Sequence, residues 1–294
     1  MLLSTAITTV SDAFGYEKAI RLYKEWGYDA FDLSLFRMLG NEDNPFNQPN
    51  YREYAQHLRD VADEIGIVCN QSHAPFGSST GEPEKDQQLF ELIVRAIEIA
   101  AIVGAKVIVI HPKQHLSYKT EKAALWDLNL EFYRALAPYA KKFGIKIALE
   151  NMWHYNHDGQ RIVDSVCSRP EEFKAYLDEL NDDCFTACLD IGHSVLTDED
   201  IPHFIRTLGH KYLQALHVHD VDHKDDLHTL PYTAKIDWDA VTSALAEIDY
   251  QGDLTFEACT FVRKFPQAVW DEANRLQVAV GRHLISEIER KKNA

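Results

Sequence analysis

Lys146-Ile147-Ala148-Leu149-Glu150 is a short apolar run that ends on a carboxylate, and five other segments repeat the arrangement. They read Gln71-Ser72-His73, Val107-Ile108-Val109-Ile110-His111, Ala187-Cys188-Leu189-Asp190, Leu216-His217-Val218-His219 and Leu254-Thr255-Phe256-Glu257. Each ends on a residue that can hold a metal or move a proton. Each is followed by a loop and a helix-like stretch. In a barrel of parallel strands all carboxyl ends open on one face, where such folds keep their chemistry. The series therefore predicts one polar site assembled from six strands.

Working outward, the same alternation covers the chain. Strands are expected at Leu2–Val10, Ala30–Phe36, Ile67–His73, Val107–His111, Ile145–Asn151, Phe185–Asp190, Leu213–His219 and Leu254–Glu257. Helices are expected at Tyr16–Trp26, Tyr51–Ile65, Lys85–Val103, Lys122–Phe143, Pro170–Leu180, Asp200–Leu208, Trp238–Ile248 and Pro266–Arg290. Four of these helices stop at glycine (Gly27, Gly66, Gly104 and Gly144), which supplies a left-handed C-cap before the next strand. Eight β-runs alternating with eight helices give an α/β (β/α)8 barrel. Such a barrel needs roughly 250 residues, so residues 1–294 are read as a single domain. The longer loops Arg37 to Asn50, Pro112 to Thr120 and Met152 to Arg169 fall on the carboxyl-end face. The last carries Trp153, His154, Tyr155 and His157, residues suited to a lid or a substrate wall. The tail Lys291-Lys292-Asn293-Ala294 reads as a frayed end.

Composition narrows the function classes. Lys and Arg total 30 against 46 Asp and Glu, a net charge of −16. No basic footprint for nucleic acid is visible, and an anionic membrane is disfavoured for the same reason. The longest apolar stretch, Ala96 to Ile110, is interrupted by Glu98, Gly104 and Lys106. It is unfit to span a bilayer. Met1-Leu2-Leu3-Ser4-Thr5 lacks a basic n-region and is not read as a signal peptide. The five cysteines Cys69, Cys167, Cys184, Cys188 and Cys259 form no C-x-x-C pair, and Cys69, Cys188 and Cys259 fall within or at the ends of expected strands. Buried free thiols and a cytoplasmic location are the expectation.

Glu150, Asp190 and Glu257 converge at the mouth in this reading. Each carboxylate pair at ~4 Å costs about 1 kcal/mol in bulk water and about 4 kcal/mol at an effective dielectric of 20. A divalent cation offsets that repulsion, and an imidazole such as His219 completes an oxygen and nitrogen shell. His217, Asp220 and Asp222 are candidates to hold the imidazoles from behind. A lone histidine such as His73 or His111 reads equally well as a hydrogen-bonded structural residue. Asp190 and Glu257 each end a near-continuous apolar strand, where a charge without a purpose is costly.

The motifs then resemble those of the xylose-isomerase-like barrel superfamily, which holds sugar isomerases and epimerases, inosose dehydratases and endonuclease IV enzymes. The matching pieces are His73-Ala74-Pro75-Phe76, His111-Pro112, Leu149-Glu150-Asn151, Leu189-Asp190-Ile191-Gly192-His193, Leu216-His217-Val218-His219-Asp220, Asp226-Leu227-His228, Ile236-Asp237-Trp238 and Phe256-Glu257. They span roughly the last three-quarters of the chain, with the sugar isomerase and epimerase branch nearest. The resemblance implies one metal held by Glu150, Asp190, His219 and Glu257, with His217 in support. It implies Glu150 and Glu257 as the acid/base pair and His193 as a substrate contact. Endonuclease IV relatives instead hold three zinc ions, using positions that match His73, His111, His193, Asp226 and His228. The expected cofactor is a divalent metal ion, manganese first, with zinc, cobalt, magnesium or iron as alternatives. Two departures bear on the substrate. The loop Leu230-Pro231-Tyr232-Thr233-Ala234-Lys235 has no glycine where the relatives are glycine-rich, and Asp225 stands near where some ketose epimerases have a substrate-binding arginine.

The expected activity is isomerisation or epimerisation of a sugar, keto-sugar or cyclitol through a metal-stabilised enediolate. One of Glu150 and Glu257 takes the proton and the other returns one. His73, His111, His193, Trp153, Asp226 and His228 are the candidate substrate contacts, with Trp153 or Phe36 as an apolar wall. Lys113, Lys119, Arg161 and Lys235 are available for a phosphate. The runner-up is a lyase or dehydratase, with His228 or Asp226 protonating the leaving group. An abasic-site nuclease and a non-catalytic sugar-binding barrel stand behind it. A homo-oligomer is left open.

Overall fold

The computed structural model describes residues 1–156 and 158–293. In chain order it begins β1 (Leu3–Thr5), α1 (Thr8–Phe14), α2 (Tyr16–Trp26), β2 (Ala30–Ser34), α3 (Tyr51–Ile65), β3 (Val68–His73), α4 (Pro83–Val103), β4 (Val107–Val109), α5 (Lys122–Phe143) and β5 (Lys146–Glu150). It continues with β6 (Trp153–Tyr155), β7 (Ile162–Asp164), α6 (Pro170–Leu180), β8 (Phe185–Asp190), α7 (Ile191–Leu196), α8 (Ile201–Tyr212), β9 (Leu213–His217), α9 (Trp238–Glu247), β10 (Leu254–Phe256), α10 (Cys259–Arg263) and α11 (Trp270–Lys292).

β2, β3, β4, β5, β8 and β9 lie side by side in parallel, and β1 pairs in parallel with β10. Single bridges between Ala6 and Asp32 and between Val218 and Phe256 join that pair to the two edges of the six-stranded sheet. Eight strands thus close the expected TIM barrel. Along each strand, alternate residues face opposite ways. Ile108, Ile147, Leu149, Ala187, Leu189 and Leu216 pack outward into the large core beneath the helices. Val109, Ala148, Cys188 and Ala215 form a separate small cluster inside the ring. Two residues further along each strand, the same inward face carries His111, Glu150, Asp190 and His217. The apolar plug is therefore the floor on which the polar groups stand.

The helix–Gly–strand rhythm is present: Gly27, Gly66, Gly104 and Gly144 all take positive φ at the ends of α2, α3, α4 and α5. At Gly104 a φ of +105° strains any residue with a side chain. Asn181, at φ 43°, does the same work after α6.

Several expectations are corrected. The first strand stops at Thr5, and Thr8-Thr9-Val10 starts α1 despite its β-branched side chains. The mouth closes there, and Ile7 N–H donates to the Asp32 carbonyl (3.0 Å), so tertiary contacts override local propensity. β4 and β9 end at Val109 and His217, so His111 and His219 lie just beyond them. Lys291 and Lys292 are not frayed: they end α11, and their ammonium groups bond Asp239 Oδ1 (2.6 Å) and the Tyr250 carbonyl (2.6 Å). Cys259 opens α10 rather than ending a strand. The hairpin β6–β7 and the single-turn α7 were not expected. His157 and Ala294 lie outside the described residues. All five cysteines are free, and among the described residues no helix is long and apolar enough to cross a membrane.

Candidate metal centre

Glu150, Asp190 and Glu257 do meet at the barrel mouth, and all three are buried. The imidazole among them is His217. Its Nδ1 lies 3.0 Å from Glu150 Oε1, 3.4 Å from Glu257 Oε2 and 3.9 Å from Asp190 Oδ2. These four residues offer donor atoms within 4.8 Å of one another. His219, expected as the fourth donor, sits instead with Nε2 3.0 Å from both Asp190 oxygens. The cause is strand register: Asp190 pairs with His217, while His219 stands two residues further along the same inward face. From behind, Asp32 Oδ2 faces His217 Nε2 at 4.0 Å and accepts a hydrogen bond from Gln71 Nε2 (2.8 Å). Asp32 is buried on β2 and was not singled out from the sequence, because β2 ends on no ligand-type residue.

The expected substrate contacts gather into two further donor groups. His73, His111 and Glu150 form one; His193, Asp226 and His228 form the other. In the first, the two Nε2 atoms face each other at 3.1 Å, and His111 Nε2 is 2.9 Å from Glu150 Oε2. The ring planes stand 82° apart. In the second, Asp226 Oδ2 lies 3.5 Å from His193 Nε2 and 3.0 Å from His228 Nε2, with those rings 89° apart. The remote nitrogens are tied to backbone carbonyls: His73 Nδ1 to Ala74 (2.8 Å), His193 Nδ1 to Asn151 (2.8 Å) and His228 Nδ1 to Glu257 (2.8 Å). Each Nδ1–H donates outward, which leaves each Nε2 facing inward, where it can offer a lone pair to a metal once it gives up any proton it carries.

The electrostatics show what is needed there. Every ion-pair partner of Glu150, Asp190, Asp226 and Glu257 among the described residues is an imidazole. Burial pushes the Glu150 carboxyl up, but His217 and His111 outweigh it and hold it well below the usual range. Burial likewise pushes Asp190 and Asp226 up, and the neighbouring histidines outweigh it and lower both. The imidazoles move the other way. Burial pulls His193 down, but Asp190 and Asp226 push it up to about 10. Burial also pulls His217 and His228 down, and their anionic neighbours raise both well above the ordinary value. In effect, imidazolium protons fill the role that divalent cations fill in such donor sets. Glu150 Oε2 and Asp226 Oδ1 are buried and accept no hydrogen bond among the described residues. Orphaned carboxylate oxygens beside inward-facing imidazole nitrogens fit a metal.

Around the mouth, Phe36 stacks on Phe76 (4.0 Å between centroids) and meets His73 edge-on (4.6 Å). Trp153, half-buried on β6, lies 6.2 Å from the His193 ring. Asp220 does not back an imidazole. Its carboxylate accepts from Ala234, Lys235 and Ile236 N–H and from Trp238 Nε1, folding the glycine-free loop against the barrel. Asp222 accepts from Lys224 and Asp225 N–H, away from the rings.

Comparison with known proteins places the fold. The family model described as "Xylose isomerase-like TIM barrel" matches residues 20–277. A curated relative named "Probable endonuclease 4" from Mycoplasmoides gallisepticum is 31% identical over 56% of this chain, and the match spans about half (54%) of that protein. "Fructoselysine 3-epimerase" of Shigella flexneri is 22% identical over 85% of this chain and 88% of its own. A solved structure of a D-tagatose 3-epimerase-like protein superposes with a TM-score of 0.77 at 20% identity, covering 99% of both chains. That of 3-keto-D-glucoside 4-epimerase from E. coli gives 0.73 at 18% identity, covering 96% of this chain and 99% of its own. By its match over most of its length, this chain belongs to the xylose isomerase-like TIM-barrel family.

Proposed function

We propose that the protein is a divalent-metal-dependent isomerase or epimerase acting on a sugar, keto-sugar or cyclitol. The observation that carries this reading is the convergence of Glu150, from the end of β5, and Glu257, from just beyond β10, on one imidazole. Glu150, Asp190, His217 and Glu257 would hold the ion. When bound, it supplies the Lewis acidity that makes a C–H beside a carbonyl removable. Of the four, Glu150 and Glu257 are the proton-transfer pair: carboxylates on separate strands can take a proton from one face of a planar intermediate and return one from another. His193 and His111 line the same cavity and donate to substrate oxygens. Phe36 with Phe76, and Trp153, wall the mouth with rings that suit the apolar face of a sugar. The relatives named as epimerases of fructoselysine and of 3-keto-D-glucoside support a small carbohydrate substrate.

The test is a metal-supplemented screen of ketoses, inososes and 3-keto-glycosides in deuterated water, read by mass spectrometry. Incorporation of one deuteron at an unchanged carbon skeleton supports the reading. Loss of water from the product assigns a lyase instead. No exchange on any member of the panel, with metal bound, rejects proton transfer.

A second reading, phosphoester hydrolysis at a centre of several cations, is favoured by further donor groups, His73–His111–Glu150 and His193–Asp226–His228 among them. The relative named as an endonuclease points the same way. The net charge of −16 opposes it, because a nucleic-acid backbone must be attracted to be cut. Three metals per chain together with cleavage of an abasic duplex would select it.

A further inference from the structure

His219 belongs to neither proposed proton-transfer pair nor four-donor group, yet it is fully buried in the middle of the site. We propose that His219 is a positioning residue: it donates from Nε2 to Asp190 and so presents that carboxylate, by its remaining edge, to a cation held with Glu150, His217 and Glu257. The inference rests on the metal-dependent reading above.

Three contacts carry it. Asp190 Oδ1 accepts from the His193 backbone N–H (2.7 Å) and from His219 Nε2 (3.0 Å), while Oδ2 shares the His219 contact and faces His217 Nδ1. Oδ1 is thus committed to the protein and Oδ2 is the edge left for a ligand. His219 Nδ1 is buried with no partner among the described residues. A proton there would be unsatisfied, so the contacts assign it to Nε2, where Asp190 accepts it. The ring is also clamped. Its Cε1 lies 2.1 Å from where a Cβ on residue 192 would stand, so only glycine there admits it, and its other side stacks on His228 (4.1 Å, 14° between planes).

That stacking separates positioning from ligation. His219, His228 and Glu257 do offer donor atoms near one another. Imidazole lone pairs lie in the ring plane. Two rings stacked almost parallel therefore direct their lone pairs along separate planes, and one cation cannot lie on both. The crossed pairs His73/His111 and His193/His228 have no such conflict.

The experiment compares full-length wild type with His219→Leu and His219→Gln, measuring metals per chain and manganese affinity by equilibrium dialysis and mass spectrometry. Groups that orient a ligand typically change metal affinity about 10- to 100-fold. Leu, which lacks the donor, should weaken manganese at least about 10-fold at saturation with unchanged stoichiometry. Gln, whose amide reaches the same place, should restore most of it. Unchanged affinity in the Leu variant, or one metal fewer per chain at saturation, overturns the proposal. A zinc-loaded crystal of the wild type decides the matter even if the Leu variant does not fold. His219 Nε2 on Asp190 and outside zinc's ligand distance of about 2.0–2.1 Å supports it, and either His219 nitrogen on zinc overturns it. Wild type that binds no metal at all instead removes the functional reading on which the inference stands.

Discussion

Asp190 and His217 are register partners at the ends of β8 and β9, and that pairing decides which histidine of the His-x-His sequence joins the carboxylates. His217 and His219 both face into the barrel, one layer apart. The lower ring meets three carboxylates and the upper one secures Asp190 from above.

If Glu257 is one half of the proton-transfer pair, Glu257→Gln should slow deuterium exchange into substrate by about 10²-fold or more. Exchange is measured by mass spectrometry at saturating metal, so weaker metal binding does not masquerade as lost chemistry. A Gln variant with wild-type exchange removes Glu257 from that pair.

Stability of the metal-free protein should depend on pH in one direction. His193 has its folded-state value raised from 6.5 to about 10. Its contribution is fully present below 6.5 and is lost as pH rises through about 10. Raised values at His217 and His228 act with the same sign. The metal-free Tm should therefore fall between pH 6.5 and 10, and the metal-loaded Tm should fall less, because cations replace the protons. Binding must then release protons, so calorimetry in buffers of different ionisation enthalpy should show a buffer-dependent heat.

Gly192→Ala should be costly out of proportion to one methyl group. The new Cβ would meet the clamped His219 ring at 2.1 Å. Overpacking of this kind costs typically about 1–3 kcal/mol, read as a lower Tm in thermal denaturation. A neutral substitution would show that the ring is free to move.

Asp32→Asn keeps the shape beneath His217 but removes the charge facing its Nε2 at 4.0 Å. Manganese affinity should drop by about 10-fold, since a carboxylate behind an imidazole raises its basicity as a ligand. Circular dichroism should be unchanged. Equal affinity in the two proteins would leave Asp32 with a packing role only.

Removing the metal should also lower stability by mass action. At a free concentration of 100 Kd a single bound ion contributes about 2.7 kcal/mol. Chelation of protein as isolated, followed by titration back, should move the Tm down and then up. A flat Tm would show that the donor groups bind no ion in solution.

The barrel was legible in the chain because its evidence is local. Short apolar runs such as Lys146–Glu150, and glycine at the ends of four helices, each act within a few residues. Convergence of Glu150, Asp190 and Glu257 at the mouth followed from their places at strand carboxyl ends. What local pattern could not choose lay one layer up or down. Residues 217 and 219 share a parity, and only hydrogen bonding between β8 and β9 ranks them. Asp32 escaped notice because its partner is 185 positions away, across the barrel. The grouping of His73 with His111, and of His193 with Asp226 and His228, likewise arises when distant strand ends close into a ring. Side-chain direction is a property of one strand, whereas the company a side chain keeps depends on how neighbouring strands are staggered.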